Sequence, residues 1–178
     1  MAAGLDPSVG LVSVMLANNE VGTIQDLAAV AGVLATASPA AVMHTDAVQA
    51  APWLDLREWA SPAALISLAA HKFGGPQGVG ALIVREGVRV EPLLRGGGQE
   101  RELRSGTHNV AGIVGMAAAL REAAARRDEV GLRVADLRDA LVSGLCAQVG
   151  GVVETAAGSP RVPNIAHVRI DGVENESV

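Results

Sequence analysis

Lys72 is the only lysine among the 178 residues. It stands between an apolar run, Ala63-Ala64-Leu65-Ile66-Ser67-Leu68, and a turn sequence, Gly74-Gly75-Pro76-Gln77-Gly78. An ammonium is costly to bury, so lysines ordinarily occupy solvated faces. One that is partly desolvated beside another cationic or dipolar group becomes a nucleophile toward aldehydes. His71 is such a neighbour. An ordinary loop lysine at the mouth of a sheet fits the same residues.

Asp46 closes a second apolar run, Ala41-Val42-Met43-His44-Thr45. A carboxylate there suits a pyridine nitrogen that must stay protonated. Together with a Schiff-base lysine it meets the requirements of pyridoxal phosphate, which needs covalent attachment, an acidic partner and orientation from its protein. A helix-cap or turn aspartate fits the position equally. Gln49 lies one turn on, where its amide either donates to the cofactor's phenolic oxygen or is solvated on a helix.

The elements that must position these residues alternate. Leu11-Val12-Ser13-Val14-Met15-Leu16-Ala17 reads as a buried strand running into the polar loop Asn18-Asn19-Glu20-Val21-Gly22. Thr23 precedes a helix expected over 24–37, which ends before Ser38-Pro39. Strands are expected at 41–46, 63–68 and 79–84, the last followed by an irregular stretch to Leu94. Strand-helix-strand alternation with apolar strands implies an α/β fold with a mainly parallel sheet covered on both faces. Such sheets place chemistry at the carboxyl ends of their strands. Asn18-Asn19, Asp46 and Lys72 each follow one of three strands. Residues 95–101 read as a glycine-rich loop, residues 110–127 and 132–149 as two helices or one bent helix, and Val152-Val153-Glu154 and 165–170 as strands of a separate small layer. On the second helix Val134, Leu137, Leu141 and Leu145 form the apolar positions.

Composition narrows the function classes. A net charge of −5 with no Lys/Arg run excludes the basic face that nucleic acid requires. The lone Cys146 excludes an internal disulfide framework and a multi-cysteine metal site, and points to a reducing cytoplasm. Within an apolar helical pattern that thiol is expected to be buried and inert. His44, His108 and His167 read as structural or surface residues. No run reaches the ~18 apolar residues of a membrane span, and Met1-Ala2-Ala3-Gly4-Leu5-Asp6 lacks the basic region of a signal peptide.

Four segments occur in a telling order: Ala17-Asn18-Asn19-Glu20-Val21-Gly22, His44-Thr45-Asp46-Ala47-Val48-Gln49, Ala70-His71-Lys72 and Arg104-Ser105-Gly106-Thr107. Together they resemble the cysteine desulfurases, members of the class V aminotransferase-like group of pyridoxal-phosphate enzymes, over about residues 9–178. The resemblance implies a fold-type-I large domain over 1–109 and, over 110–178, a connecting helix with the start of an α+β small domain. It implies that Lys72 is the Schiff-base lysine, Asp46 the pyridine-nitrogen partner, Gln49 the ligand of the phenolic oxygen and Asn19 a further cofactor contact. His71 would hold the phosphate, and Thr107 would reach the phosphate of the partner subunit in a homodimer, with 95–107 as the crossing segment.

The implied activity converts L-cysteine to L-alanine and passes sulfur, through an enzyme persulfide, to an acceptor protein for iron-sulfur or thio-cofactor synthesis. Ala69 departs from the pattern, because many relatives place a phosphate-binding serine there. The resemblance also implies that a preceding segment, with a histidine stacked on the cofactor, and a following one, with the persulfide-forming cysteine, are missing from the chain. As an isolated fragment it would then be inactive. Other class V activities, namely a selenocysteine lyase, a kynureninase-like hydrolase or an aminotransferase, remain alternatives, as does a non-catalytic fragment that binds a partner.

Overall fold

The computed structural model describes residues 4–174; the readings made on residues 1–3 and 175–178 lie outside them. Four strands, β1 (Leu11–Met15), β2 (Val42–Asp46), β3 (Leu65–Ala69) and β4 (Gly80–Val84), form one sheet in the order β1-β2-β3-β4. The first three run parallel, with Ser13 opposite His44 and Asp46 opposite Ser67. β4 returns antiparallel to β3. A second, two-stranded antiparallel sheet pairs β5 (Val152–Glu154) with β6 (Val168–Ile170).

Between β1 and β2 lies α1 (Leu27–Ala37). It starts at Leu27 rather than at residue 24, capped by Asp26, whose carboxylate accepts from the Ala29 amide at 2.9 Å. Thr23 instead lies in extended backbone bridged to Arg161. The short α2 (Leu56–Trp59) is capped by Asp55, which Arg57 grips through its side chain and its backbone amide; these bonds hold the carboxyl well below the usual carboxylate range. Two long helices, α3 (Val110–Ala125) and α4 (Arg127–Gln148), adjoin through the single non-helical residue Arg126, so the two expected helices are separated by a one-residue break.

Period-2 alternation decides which side chains enter the core. Met43, Thr45, Ile66 and Leu68 face inward and are buried, joined by Leu16, Leu27, Leu34, Ala47, Phe73 and Met116. The opposite face carries Leu11, Ser13 and Met15 of β1, Asp46 of β2 and Leu82 of β4, all exposed. The expectation of a sheet covered on both faces is thus corrected: among the described residues the helices and loops of the core cover one face only. β1 is an edge strand with alternating exposure, not a buried one. On α4, Leu137 and Leu141 are exposed while Val142 is buried, and Cys146 is exposed rather than buried. An apolar stripe needs a partner surface, and the two-stranded sheet is too small to cover α4.

A strap over residues 160–165 ties the distant end of the chain to the core. Ile24 donates to the Pro160 carbonyl at 2.9 Å, Val162 donates to that of Gly22 at 2.9 Å, and the Val162 side chain is fully buried. Among the described residues no helix is long and apolar enough to cross a membrane.

The β3–β4 turn depends on close backbone approach. A Cβ on Gly80 would lie 2.6 Å from the Leu68 carbonyl oxygen, which cannot retreat without breaking the ladder. Gly80→Ala is expected to destabilise the chain by about 1–3 kcal/mol, read as a lower urea midpoint at unchanged slope.

Candidate functional site

The three parallel strands deliver three loops to one end of the sheet. Neighbouring strands lie only ~4.8 Å apart, so residues just beyond β1, β2 and β3 are neighbours in space although far apart in sequence.

Beyond β1, the Asn18 side-chain oxygen accepts from the amides of Glu20 and Val21, both at 2.9 Å, and closes an Asx turn. That turn leaves Asn19 exposed, and among the described residues its side chain has no hydrogen-bond partner. At the end of β2, Asp46 is exposed. Its Oδ1 accepts from the Val48 amide at 2.9 Å, while Oδ2 receives no bond among the described residues. The aspartate is therefore a turn residue and also an available carboxylate, so the two readings of the sequence are compatible. Gln49, half-buried, lies in the run of turns that follows rather than on a helix.

Beyond β3, residues Ala70–Phe73 form one 3-10 turn, stopped by Gly74 in the left-handed conformation at φ 82°. Phe73 takes the inward position, which leaves His71 and Lys72 exposed. The expected desolvation of Lys72 is corrected accordingly: in this structure its ammonium keeps access to water. The same turn borders a cleft of about 380 Å³ whose lining includes Lys72, Glu122, Arg126 and Arg127 together with Trp53 and Phe73.

Thr107 precedes α3 and is exposed, with no hydrogen bond to the residues above. α3 is nevertheless drawn against the Lys72 loop by small residues. A Cβ on Gly112 would come 2.5 Å from Val79, and one on Gly115 would come 2.7 Å from Pro76. The cap residue Asn109 accepts from the Gly112 amide at 3.1 Å. Upstream, Glu100, Arg101 and Glu102 all adopt left-handed backbone, φ 51–67°. That conformation costs non-glycine residues of order 1–3 kcal/mol each, and local sequence marks the stretch only as a loop.

The three histidines that the sequence marks as structural or surface residues each have a polar partner. His44 bonds Ser13 Oγ at 2.7 Å through Nδ1 and Ser67 Oγ at 2.8 Å through Nε2, which links β1, β2 and β3. Period-2 spacing puts His44 on the Asp46 face of β2, and the strand register adds Ser13 and Ser67 to that face. His108 faces Glu100 at 3.2 Å, and His167 bonds Thr155 at 2.8 Å. Among the described residues no group of three or more His, Cys, Asp or Glu could hold a metal ion.

The rim thus offers one amine, one carboxylate with a free oxygen, the amides of Asn19 and Gln49, and an imidazole. This donor set fits a flat heteroaromatic aldehyde, with the amine for its carbonyl, the carboxylate for a ring nitrogen and an amide for a phenolic oxygen.

The model of the aminotransferase class-V family matches residues 1–178. A cysteine desulfurase of Gluconacetobacter diazotrophicus is 42% identical over 98% of this chain and 43% of its own length. An IscS-like cysteine desulfurase of Mycobacterium tuberculosis is 46% identical over 96% of this chain and 43% of its own. Among solved structures, a NifS-like protein superposes with a TM-score of 0.89 at 38% identity, covering 99% of this chain and 48% of that one. DndA from Streptomyces lividans gives 0.85 at 35% identity, covering 98% and 49%. The chain spans less than half the length of these relatives. The likeness bears out the fold: an α/β arrangement that forms part of a fold-type-I large domain, followed by α+β elements.

Proposed function

The chain belongs to the class-V aminotransferase family, and from that premise we propose that its residues form part of the cofactor site of a pyridoxal-phosphate-dependent cysteine desulfurase. The observation that carries the reading is the delivery of Asn19, Asp46 and His71–Lys72 to one sheet end by three adjacent parallel strands. On this reading residues 1–109 belong to the cofactor-binding domain and 110–178 lead into the smaller one.

Pyridoxal phosphate, when bound, supplies an electron sink for the bonds at the substrate's α-carbon. The chain's residues do the rest. Lys72 provides the amine for covalent attachment and, once free of it, moves a proton at the α-carbon of L-cysteine. Asp46 holds the proton on the pyridine nitrogen through a charge-assisted hydrogen bond. Gln49 donates to the phenolic oxygen, Asn19 adds a second polar contact there, and His71 donates to the phosphate. Thr107 serves the phosphate of a partner subunit, which makes the site a shared one in a homodimer. A thiolate of the complete enzyme would attack the substrate sulfur, forming an S–S bond as the C–S bond breaks toward carbon; protonation of that carbon gives L-alanine, and the persulfide passes its outer sulfur to an acceptor protein. The names of the relatives support this activity over the other class V reactions.

The test is direct. The chain is incubated with stoichiometric pyridoxal phosphate, reduced with borohydride, digested and mapped by mass spectrometry. A phosphopyridoxyl group on the Lys72 peptide supports the reading, and labelling confined to the amino terminus overturns it. Asp46→Asn keeps the shape but removes the charge. It is expected to weaken equilibrium cofactor binding by roughly ten- to a hundredfold, the equivalent of one hydrogen bond to a charged group.

A further inference from the structure

His44 takes no part in the chemistry above, yet both of its ring nitrogens are engaged. Nδ1 meets Ser13 Oγ at 2.7 Å, and Nε2 meets Ser67 Oγ at 2.8 Å. A neutral imidazole offers one donor and one acceptor, and a serine hydroxyl can take either role. The line Ser13–His44–Ser67 is therefore satisfied throughout without a charge.

Its place in the sheet gives it a purpose. His44 and Asp46 are two residues apart on β2 and share a face. Ser13 is the register partner of His44, but Ser67 is the register partner of Asp46. The ring thus bonds straight across to β1 and diagonally forward to β3, to the residue opposite Asp46. On the other face Thr45 bonds the Val14 carbonyl at 2.8 Å. Beyond the strand, the Asp46 carboxylate accepts from the Val48 amide alone among the described residues, while its backbone carbonyl accepts from the Leu16 amide at 2.8 Å. The last turn of backbone before Asp46 is therefore braced on both faces, and on the Asp46 face the brace is His44.

We propose that His44 is a positioning residue for Asp46, which fixes the carboxylate at the end of β2 by pinning that strand between β1 and β3. Insofar as it concerns the cofactor, the inference rests on the site reading above, so the experiment begins without one. In the cofactor-free chain, His44→Phe is expected to speed hydrogen exchange of the Val48 amide, which donates to Asp46, by roughly tenfold, the loss of about one hydrogen bond's worth of protection. Amides of β4 should be unaffected. Ser13→Ala and Ser67→Ala, which remove one bond each and leave the ring in place, should give intermediate effects, and His44→Gln should restore part of the protection. They keep the test open should the phenylalanine variant misfold. Unchanged Val48 exchange in both serine variants overturns the proposal.

The second readout is the ring-nitrogen resonance of bound ¹⁵N-labelled pyridoxal phosphate. His44→Phe should move it toward the unprotonated value, in the same direction as Asp46→Asn. An unmoved resonance with weaker folding assigns His44 a structural role only and overturns the link to the cofactor. A wild-type chain that binds no cofactor overturns the site reading, whereas the exchange data still decide whether His44 positions Asp46.

Discussion

Lys72→Ala is expected to reduce borohydride-trapped incorporation of pyridoxal phosphate at least about 10²-fold, down to the background of the amino terminus. The size follows from what is removed. Lys72 is the only side-chain amine in the protein, and a bound aldehyde held against an oriented amine reacts as though the two were at very high concentration. Without the amine that advantage disappears. Because Lys72 is exposed, alanine should leave the fold intact, and an unchanged urea midpoint would check this. Lys72→Arg supplies a second control, since arginine keeps the positive charge but cannot be deprotonated to attack. Both variants should read alike. Equal labelling of the wild type and Lys72→Ala would show that the lysine is an ordinary loop residue and remove the centre of the proposed site.

The largest effect on stability is expected at Leu16, which is fully buried at the junction between β1 and the Asn19 loop. Its amide donates to the Asp46 carbonyl at 2.8 Å, and its carbonyl accepts from Gln25 at 2.9 Å. The backbone is therefore pinned on both sides and cannot follow a shrinking side chain inward. Leu16→Ala should cost about 3 kcal/mol, within the usual span of 2–5 for such truncations, because the cavity does not collapse. For a chain of this size that corresponds to a fall of roughly 10 °C in Tm. A loss under about 1 kcal/mol would mean that the neighbours refill the space and that Leu16 is not the keystone its burial suggests.

The parts of this fold that depend on chain order were legible in the sequence, and those that depend on what packs against them were not. The end of β2 at Asp46 and the turn at Gly74 could be read, because apolar runs and glycine mark local boundaries. The direction of β4 could not, since Gly-Ala-Leu-Ile-Val reads the same in a parallel or an antiparallel pair. Lys72 was expected to be desolvated from its apolar neighbours in sequence, but burial is decided in space, and Phe73 rather than Lys72 turns inward. Cys146 fails for the same reason: periodicity finds an apolar stripe on α4 but not the surface that would cover it. The helix expected from residue 24 starts at Leu27 because Thr23 and Ile24 are held in extended bridges to Arg161 and Ala17, the first of them a contact with a distant residue that no local rule anticipates. His44 was set aside as structural, and its two serine partners emerge only when strand register is known.

The strap at residues 160–165 also imposes an order on folding. The four strands pair with their immediate successors in sequence, so each ladder closes a short loop. The bond from Val162 to Gly22 closes one of roughly 140 positions, and the entropy of loop closure grows with length. The strap is accordingly expected to join after the sheet and α1 have formed, which pulsed hydrogen exchange during refolding would check by later protection of the Val162 amide. On that order the polar rim at the ends of β1, β2 and β3 is assembled before the strap docks.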